Sequence, residues 1–534
     1  MLYEERERMD TNRVAVFDTT LRDGEQAAGT RLGSREKLTL AKQLARLRVD
    51  VIEAGYPSSS PEDFEAVLRI SQEIEGPVIC ALSRVVEEDV VACGKALAKA
   101  KRPRIHTGVG ASDIHIMGKF RDDRYGRTLA EKKVKMIQMA RHAVQVARTF
   151  VDDVEFYAED AGRSDPAYLF EMVEAAIDAG ATVVNIPDTT GYTVPEQYGK
   201  LIRSLCENVP NIGKATISVH CHNDLGMAVA NSLAGIQNGA RQVEGTINGI
   251  GERAGNASLE EIVMALKTRR DYFSQYTDVD AREFVRTSRL VSEMLGIVVP
   301  PNKAVVGANA FSHSSGIHVD GFLKERETYE IMLPADVGFA ESRVVLTART
   351  GRAGLRDRLE KIGYSLSKEE LDVTYQRFLT LADKKQEVFD EDLMALLHDE
   401  IHSIETEYQL EYLHIYSGTF AIPTATVRLR IGEELKEAAA IGDGPVDAVY
   451  KAIAAVTKTT AKLIRYEVRA VTGGAEAMGE AIVHLEDKGR KVVGRGASTD
   501  VIEASAKAYL DALNRFSIPE IELPAMAMQP QPLM

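Results

Sequence analysis

One pattern of apolar and polar positions recurs from Arg13 to about Arg269. A short β-branched run is followed by a polar or glycine-rich loop and then by an amphipathic helix, such as SREKLTLAKQLARLR or PAYLFEMVEAAIDAG. Gly180 closes the second of these helices, as expected at a carboxyl end. The strand candidates cover residues 14–18, 49–55, 77–83, 104–110, 153–159, 182–188, 216–220 and 242–248. Eight such runs alternating with helices over about 250 residues predict an α/β fold, a (β/α)8 TIM barrel, with a doubly wound open sheet as the alternative.

Polar residues stand at or just beyond the carboxyl ends of the predicted strands. They are Asp23, Glu53, Glu159, Thr189, His220 and Asn256. In a parallel barrel these ends share one rim, and functional residues gather at that rim. The pattern therefore predicts a site there.

Residues 270–400 follow a different, mostly helical pattern that includes the polar stretch GANAFSHSSGIHVDG at 307–321. Ser367 and Glu370 form a capping box, which opens a helix. Because the stretch at 307–321 is too polar for simple packing, we expect a helical connector with a role at a site.

Residues from about Glu407 to Phe516 contain an internal repeat. Each half is predicted to run strand, turn, strand, G-x-G loop and helix, with the loops at 442–444 and 494–496. A glycine loop ahead of a helix can offer backbone N–H groups to a small anion. The candidate effector contacts are therefore Gly442, Gly444, Gly494 and Gly496; a plain accessory or dimerisation domain is the alternative.

The predicted domain order follows from these patterns. It is an amino-terminal extension (1–12), a catalytic barrel (13–275), helical connector subdomains (276–405), an α+β regulatory domain with a duplicated β/α unit (406–516) and a disordered tail (517–534).

Composition narrows the function classes. The 534 residues are 45% hydrophobic and 27% charged, which is typical of a soluble protein with several domains. A net charge of −15 without a basic block argues against nucleic acid and anionic membranes as partners. The start MLYEERERMD lacks the apolar core of a secretory signal, and we find no apolar run long enough to cross a bilayer. The four cysteines form no C-x-x-C pair, so free thiols in the cytoplasm are expected.

The segment VHCHND (219–224) carries two histidines at the end of an apolar run. On a strand, His220 and His222 share a face while Cys221 points away. Two imidazoles on one face make half of a metal site; histidines satisfied by local hydrogen bonds are the alternative. Asp23 and Asn256 would complete a mixed nitrogen and oxygen set, which suits Mn²⁺, Mg²⁺ or Zn²⁺ with open positions.

The segment FDTTLRDGEQ (17–26) places Arg22 next to Asp23. Beside an oxygen polarised by a metal, a fixed guanidinium can stabilise a developing enolate or alkoxide. A loop salt bridge is the alternative for an isolated Arg-Asp pair, but the histidines favour the catalytic interpretation.

These motifs resemble a known family. DTTLRDGEQ and VHCHNDLGMAVANSLAGIQNGARQVEGTINGIGERAGNASLEE are similar to the 2-isopropylmalate synthase and homocitrate synthase group of metal-dependent barrel acyltransferases. The resemblance extends through SGIHVDG and ETYEIMLPADVG to the repeated region, which looks like the leucine-sensing domain of that group. The implied metal ligands are Asp23, His220, His222 and Asn256. The implied catalytic residues are Arg22, Glu159, His318 and Tyr329. The implied substrate-binding residues are Gln26, Leu82, His115, Tyr157 and Thr189.

The resemblance implies a Claisen-type condensation of acetyl-CoA with a 2-oxo acid. In it, a base removes a proton from the acetyl methyl group; the candidate base is His318, acting with a carboxylate such as Glu159 or through water. Arg22 stabilises the enolate and the developing alkoxide, Tyr329 or a neighbouring group protonates that alkoxide, and water cleaves the thioester. The resemblance further implies K⁺ as an activator, leucine as an inhibitor, and a homodimer whose connectors reach the barrel of the partner subunit.

Two pocket positions disagree about the 2-oxo acid. His115 resembles members that take 2-oxoisovalerate, whereas Tyr157 resembles citramalate-forming members that take pyruvate. Because one or two methyl-sized contacts change discrimination by only about 1–3 kcal/mol, the whole chain favours 2-oxoisovalerate and the first step of leucine biosynthesis. Citramalate synthase is the first alternative and homocitrate synthase the second. An acyl-CoA lyase on the same barrel is a further alternative, but the loop cysteine of those enzymes is absent from NGIGERAGN.

Overall fold

The computed structural model describes residues 12–383, 387–390, 392–393, 396, 407–418, 420–470, 479–498 and 500–516. The chain divides into two compact units, residues 1–393 and 394–534, and each has its own hydrophobic core. Apart from residue 12, the predicted extension at 1–12 and the tail at 517–534 lie outside the described residues. The predicted domain limits stay predictions.

The first unit is built on a closed parallel barrel whose strands follow one another around the ring in chain order. They are β1 (Ala15–Asp18), β2 (Val51–Glu53), β3 (Val78–Arg84), β4 (Pro103–Gly110), β5 (Asp153–Glu159), β6 (Val183–Asp188), β7 (Thr216–Cys221) and β8 (Gln242–Gly245). β8 pairs with β1, with Ala15 opposite Gln242 and Asp18 opposite Gly245. The predicted barrel is confirmed, and the open-sheet alternative is wrong because the ring has closed.

Helices alternate with these strands. They are α1 (Ser34–Leu47), α2 (Pro61–Glu73), α3 (Glu87–Ala96), α4 (Asp113–Lys119), α5 (Leu129–Ala147), α6 (Pro166–Asp178), α7 (Pro195–Asn208), α8 (Ala228–Gln237) and α9 (Leu259–Thr268). Their apolar faces join the core, as Leu40 and Leu44 of α1 do. Asp165 caps α6 by accepting a hydrogen bond from Tyr168 N, and Gly180, with φ +110°, follows its end. The capping residue Asp165 and the glycine at 180 thus determine where the helix before β6 begins and ends.

The inside of the barrel holds a buried polar network. Arg104 Nη1 donates to Glu155 Oε2 at 3.0 Å and to Gln242 Oε1 at 2.8 Å, which joins β4 to β5 and β8. Ser218 Oγ donates to Glu244 Oε1 at 2.9 Å. Burial, together with the neighbouring Glu244 carboxyl, raises the pKa of Glu155 to about 8. Charged residues within apolar strand sequences are therefore explained by pairing across the barrel.

The rest of the first unit is mostly helical, as predicted. It contains α10 (Phe284–Leu295), α11 (Gly316–Lys324), α12 (Arg352–Lys361) and α13 (Lys368–Ala382). Ser367 and Glu370 form the expected capping box at the start of α13. A short parallel pair, β9 (Ser312–His313) and β10 (Arg343–Val344), was not predicted because two-residue strands leave no periodic pattern. None of the described helices combines the length and apolar character needed to cross a membrane. All four cysteines are free thiols.

The second unit contains the predicted duplication. β11 (Gln409–Gly418), β12 (Ala421–Ile431) and β13 (Glu434–Ile441) form one antiparallel sheet, followed by α14 (Pro445–Thr457). β14 (Lys462–Ala470), β15 (Gly479–Asp487) and β16 (Arg490–Ser498) form the other, followed by α15 (Val501–Phe516). The two copies share one core, in which Tyr450 of α14 stacks on Tyr509 of α15 at 4.5 Å. The α+β repeat is confirmed.

One detail of the repeat prediction is wrong, because residues 494–496 form part of a strand and not a loop. A Cβ on Gly494 would lie 2.1 Å from the carbonyl oxygen of Ala508, and one on Gly496 would lie 2.3 Å from that of Ala504. The missing side chains therefore let the backbone of α15 lie directly on β16. Residues 442–444 do form a loop ahead of α14. The effector role of the four glycines stays a prediction.

Candidate active site

A cavity of about 250 Å³ opens at the carboxyl-end rim of the barrel. Its walls come from the ends of several strands and from the loops that follow them. The lining residues are Arg22, Asp23, Gln26, Leu82, His106, Tyr157, Glu159, Asn185, Pro187, Thr189, His220, His222, Glu252 and Arg253. The rim that the strand pattern singled out is thus the place where the candidate residues meet.

Three buried side chains bring candidate metal-ligand atoms within 4.8 Å of one another: Asp23, His220 and His222. Asp23 precedes the 3-10 helix Gly24–Gln26 after β1, His220 lies in β7, and His222 follows its end. The two imidazole Nε2 atoms lie 3.2 Å apart. Asp23 Oδ2 lies 4.0 Å from His220 Nε2 and 3.9 Å from His222 Nε2. Strand alternation turns both rings to the same side, so the three groups converge.

Asn256 reaches the same cluster from the loop after β8. Its Nδ2 donates to Asp23 Oδ1 at 2.7 Å and to the carbonyl oxygen of Ile250 at 3.1 Å. Its Oδ1 is buried and has no hydrogen-bond partner among the described residues. Gly251 permits this approach, because a Cβ there would lie 2.2 Å from Asn256 Nδ2. This amide oxygen is therefore available as a ligand atom for a cation at the cluster.

The protonation states also suit a metal ion. Burial lowers the pKa of His220 and of His222 to about 4, so both imidazoles are neutral at pH 7. His220 Nδ1 lies 3.0 Å from Glu244 Oε2. In the tautomer with the proton on Nδ1, this contact is a hydrogen bond and Nε2 keeps a lone pair for a metal ion. One carboxylate, two neutral imidazoles and one amide oxygen, without thiolate, form a donor set that fits Mn²⁺, Mg²⁺ or Zn²⁺.

Arg22 is held rigidly beside these ligands. Its Nη1 donates to Asp23 Oδ2 at 2.8 Å, and its Nε donates to Glu53 Oε2 at 2.6 Å. Glu53 also accepts from Thr19 Oγ1 at 2.6 Å and contacts His106 Nδ1 at 2.9 Å. Burial alone would raise the pKa of Glu53, but Arg22 and His106 outweigh it and bring the value to about 2. Arg22 therefore presents a preorganised positive charge to the cavity.

Glu159 lines the cavity at the end of β5. Lys119 Nζ donates to its Oε1 at 2.6 Å, and His115 Nδ1 lies 3.5 Å from its Oε2. Burial alone would raise the pKa of Glu159, yet His115 and Lys119 lower it to about 2. Thr189 Oγ1 accepts from the backbone N–H of Asp160 at 2.9 Å. At neutral pH Glu159 is therefore an ionised hydrogen-bond acceptor and a weak base.

Tyr157 and Leu82 form part of the cavity wall. The Tyr157 hydroxyl donates to the carbonyl oxygen of Ser83 at 3.3 Å, and its ring meets His106 edge-on at 4.9 Å. Gly108 stands opposite on β4, where a Cβ would lie 2.4 Å from Tyr157 Cγ. The tyrosine is thus held from three sides, and a glycine makes room for it.

Two predicted catalytic residues do not line this cavity: His318 and Tyr329. The two rings stack on each other with centroids 4.2 Å apart. His318 is exposed, and Tyr329 is 41% exposed. Their catalytic roles stay predictions.

Several lining residues were missed by sequence reasoning. They are His106, Asn185, Pro187, Glu252 and Arg253. The first three lie inside predicted strands, where the pattern does not show which inward position reaches the cavity. Arg253 donates to Asp224 Oδ1 at 2.8 Å and to Asp224 Oδ2 at 2.9 Å, and also to the carbonyl oxygen of Thr189 at 2.7 Å. Its signal in the sequence is a cation within the glycine-rich segment NGIGERAGN.

Comparison with known proteins places this site in a family. Residues 13–291 match the HMGL-like family, residues 305–386 match the homocitrate synthase post-HMGL domain-like family, and residues 387–517 match the LeuA allosteric (dimerisation) domain. The 2-isopropylmalate synthase of Heliobacterium modesticaldum is 53% identical over 505 residues, which cover 95% of this chain and 97% of that protein. The 2-isopropylmalate synthase of Carboxydothermus hydrogenoformans is 54% identical over 505 residues, with 94% and 97% covered. The chain belongs to the 2-isopropylmalate synthase family.

Membership of the 2-isopropylmalate synthase family confirms the resemblance seen in the motifs. The chain is an acyltransferase of the acetyl-CoA condensing class. Its buried donor cluster agrees with the metal dependence of the HMGL-like family. The match of residues 387–517 also assigns the second unit to an allosteric and dimerisation domain class.

Proposed function

We propose that the chain condenses acetyl-CoA with 2-oxoisovalerate and water to give 2-isopropylmalate and CoA, the first committed step of leucine biosynthesis. The supporting observation is the buried cluster of Asp23, His220, His222 and Asn256 beside the fixed guanidinium of Arg22, in a chain of this family. When bound by these residues, a divalent ion such as Mn²⁺ or Mg²⁺ supplies Lewis-acid polarisation of the 2-oxo carbonyl group.

Arg22 stabilises the negative charge that develops on oxygen during the condensation. Its two carboxylate partners hold the guanidinium in place before the reaction starts, so little reorganisation is needed. Removal of one preorganised donor typically costs roughly 10²- to 10³-fold in kcat. Arg22→Met is therefore expected to lower kcat by that factor, and a loss below tenfold would contradict this role.

Gln26, Glu159 and Thr189 orient the 2-oxo acid, since all three line the cavity. Glu159 does so as an acceptor, because its pKa of about 2 makes it a weak base. His318 then takes the acetyl methyl proton, and Tyr329 stands beside it to protonate the product oxygen. Since the pair is exposed in one chain, a second copy of the chain delivers it to the cavity.

The 2-oxo acid is identified by comparing kcat/KM for 2-oxoisovalerate and pyruvate in a CoA-release assay with acetyl-CoA and Mn²⁺. A preference of roughly tenfold or more for 2-oxoisovalerate, about the value of one or two methylene contacts, supports the proposal. A preference for pyruvate overturns it in favour of citramalate synthase. Tyr157 in the cavity wall is the observation that favours this second candidate.

The second unit senses leucine and joins two copies of the chain in a homodimer. Support comes from the match of residues 387–517 to the LeuA allosteric (dimerisation) domain. Exposed apolar side chains on β11 and β12, such as Tyr416 and Ile422, also fit a dimer contact. A chain that ends at residue 405 is expected to lose inhibition by leucine; inhibition that persists would place the sensor elsewhere. K⁺ activation and a cytoplasmic location complete the proposal.

A further inference from the structure

Lys303 lies outside the barrel, after α10, yet its ammonium group contacts the start of α9. Nζ donates to Ser258 Oγ at 2.6 Å, forms a short ion pair with Glu261, and lies 3.6 Å from Glu260 Oε1. The lysine side chain is only 16% exposed. Ser258 is two residues from Asn256, which donates to the metal-ligand candidate Asp23. A residue of the predicted connector thus contacts the segment that carries a candidate metal ligand.

The sequence at this point encodes a different local structure. Ser258-Leu259-Glu260-Glu261 is a capping-box motif, in which the serine hydroxyl accepts from the backbone N–H three residues on and the glutamate returns to the serine N–H. In the structure, Ser258 precedes α9 but makes no side-chain cap hydrogen bond. The Lys303 ammonium contacts both the hydroxyl and the Glu261 carboxylate instead. Lys303 and the capping box therefore compete for the same two groups.

The contacts of Lys303 are favoured over the capping box, because the backbone of Lys303 is fixed by hydrogen bonds. Its N–H donates to the carbonyl oxygen of Pro300 at 2.9 Å, and its own carbonyl oxygen accepts from Gly307 N at 3.0 Å. Buried Val305 in the same turn has a φ of +68°, which a β-branched residue adopts only when its surroundings impose it. The turn is thus a rigid support for the lysine.

The segment from Asn256 to Ser258 is hydrogen-bonded along its length to neighbouring parts of the barrel. Asn256 N donates to the carbonyl oxygen of Gly249 at 2.9 Å, and Ala257 N donates to that of Cys221 at 3.0 Å. Ser258 forms a parallel bridge with Thr246. Ser258, which Lys303 contacts, therefore belongs to the same hydrogen-bonded segment as Asn256.

We propose that Lys303 is a positioning residue for Asn256. By occupying Ser258 and Glu261, it keeps the capping box open and holds the Asn256 amide against Asp23. The inference rests on the proposed function, in which Asn256 is a ligand of a divalent ion. Because Lys303 lies within the predicted connector (276–405), its contact with Ser258 links the connector to the segment that carries Asn256.

The test is Mn²⁺ binding to the metal-depleted full chain, measured by isothermal titration calorimetry. Lys303→Met is expected to raise the dissociation constant by roughly 10- to 100-fold, as for the loss of a group that orients a ligand. Lys303→Arg is expected to restore most of the affinity. Lys267→Met is the matched control. Lys267 lies in the last turn of α9, the helix whose start Lys303 contacts, and its ammonium group lies 3.5 Å from Asp336. The Mn²⁺ affinity of this variant is expected to match that of the unmodified chain.

The double variant Lys303→Met/Ser258→Ala separates positioning from ordinary stabilisation. Losing Ser258 also removes the competing cap, so the double variant is expected to bind Mn²⁺ more tightly than Lys303→Met alone. Additive losses, or unchanged affinity in Lys303→Met, would overturn the inference. If Lys303→Met does not fold, Lys303→Gln replaces it with the same expected direction.

Asn256→Ala distinguishes failure of this inference from failure of the proposed site. If Asn256→Ala binds Mn²⁺ as tightly as the unmodified chain, the ligand assignment and the role of Lys303 both fail. If it binds weakly while Lys303→Met binds normally, only the role of Lys303 fails.

Discussion

Gly251→Ala is expected to weaken metal binding in addition to destabilising the fold. Gly251 lies in the loop after β8 with a φ of +151°. A methyl group there would lie 2.2 Å from Asn256 Nδ2 and 2.8 Å from Asp23 Oδ1. These atoms are joined by a 2.7 Å hydrogen bond, so the new methyl group has to separate them.

The size of the effect follows from the bond that is broken. A hydrogen bond to an ionised carboxylate contributes about 1.5–3 kcal/mol. At about 1.4 kcal/mol per tenfold, its loss from the metal-binding arrangement raises the Mn²⁺ dissociation constant by roughly 10- to 150-fold. The left-handed backbone adds a separate cost to folding, about 1–2 kcal/mol for an alanine.

Gly226→Ala is the matched control, because Gly226 has a φ of +74° and no atom within 4 Å of an added Cβ. Calorimetric titration with Mn²⁺ and thermal unfolding are measured for both variants. Both variants are expected to be less stable, while only Gly251→Ala is expected to bind Mn²⁺ more weakly. Equal Mn²⁺ affinities in the two variants would refute the assignment of Asn256 and the steric argument together.

Three further outcomes are expected. Lys119→Met removes a cation that holds the pKa of Glu159 at about 2, so that pKa is expected to rise, and the acidic limb of the pH profile of kcat/KM moves to higher pH. Lys119→Arg is expected to restore the pH profile. An acidic limb that does not move would show that Glu159 does not act in the cavity. Tyr157→Ala enlarges the cavity. It is expected to raise kcat/KM for 2-oxoisovalerate relative to that for pyruvate by roughly tenfold, within the 1–3 kcal/mol that such contacts contribute. An unchanged ratio would contradict a role of Tyr157 in substrate selection. Gly494→Ala is expected to destabilise the second unit by about 1–3 kcal/mol in urea unfolding, since its Cβ meets the backbone of α15. Gly444→Ala has open space and is the control; equal losses in both would contradict the packing argument.

The barrel and its rim were predictable because local patterns determine both. Alternating runs and amphipathic helices specify the strands, and parallel strands bring their carboxyl ends together whatever the loops contain. His220 and His222 followed from strand alternation alone. Asp23 was harder to place, since it is 233 residues from Asn256 in the chain and meets it only in the closed ring.

What the sequence concealed depends on contacts between distant elements. Gly494-Arg495-Gly496 has the same form as the loop at 442–444, but it lies in a strand against α15. The overlooked signal was on the helix, where Ala504, Ala508 and Ala512 place small residues opposite the glycines. Likewise, no local pattern shows that Glu244 on β8 orients His220 on β7.

The four candidate ligands straddle the seam where the first and last strands of the barrel pair. Asp23 follows β1, whereas His220, His222 and Asn256 belong to β7 and to the loop after β8. Until β8 pairs with β1, the loop that carries Asn256 and the turn that carries Asp23 are not held beside the two histidines, and such long-range pairing is slow to form. An ion that binds only the closed ring stabilises it by mass action. The rate of metal binding during refolding would therefore report on barrel closure. The yield of folded protein is then expected to depend on the concentration of free metal.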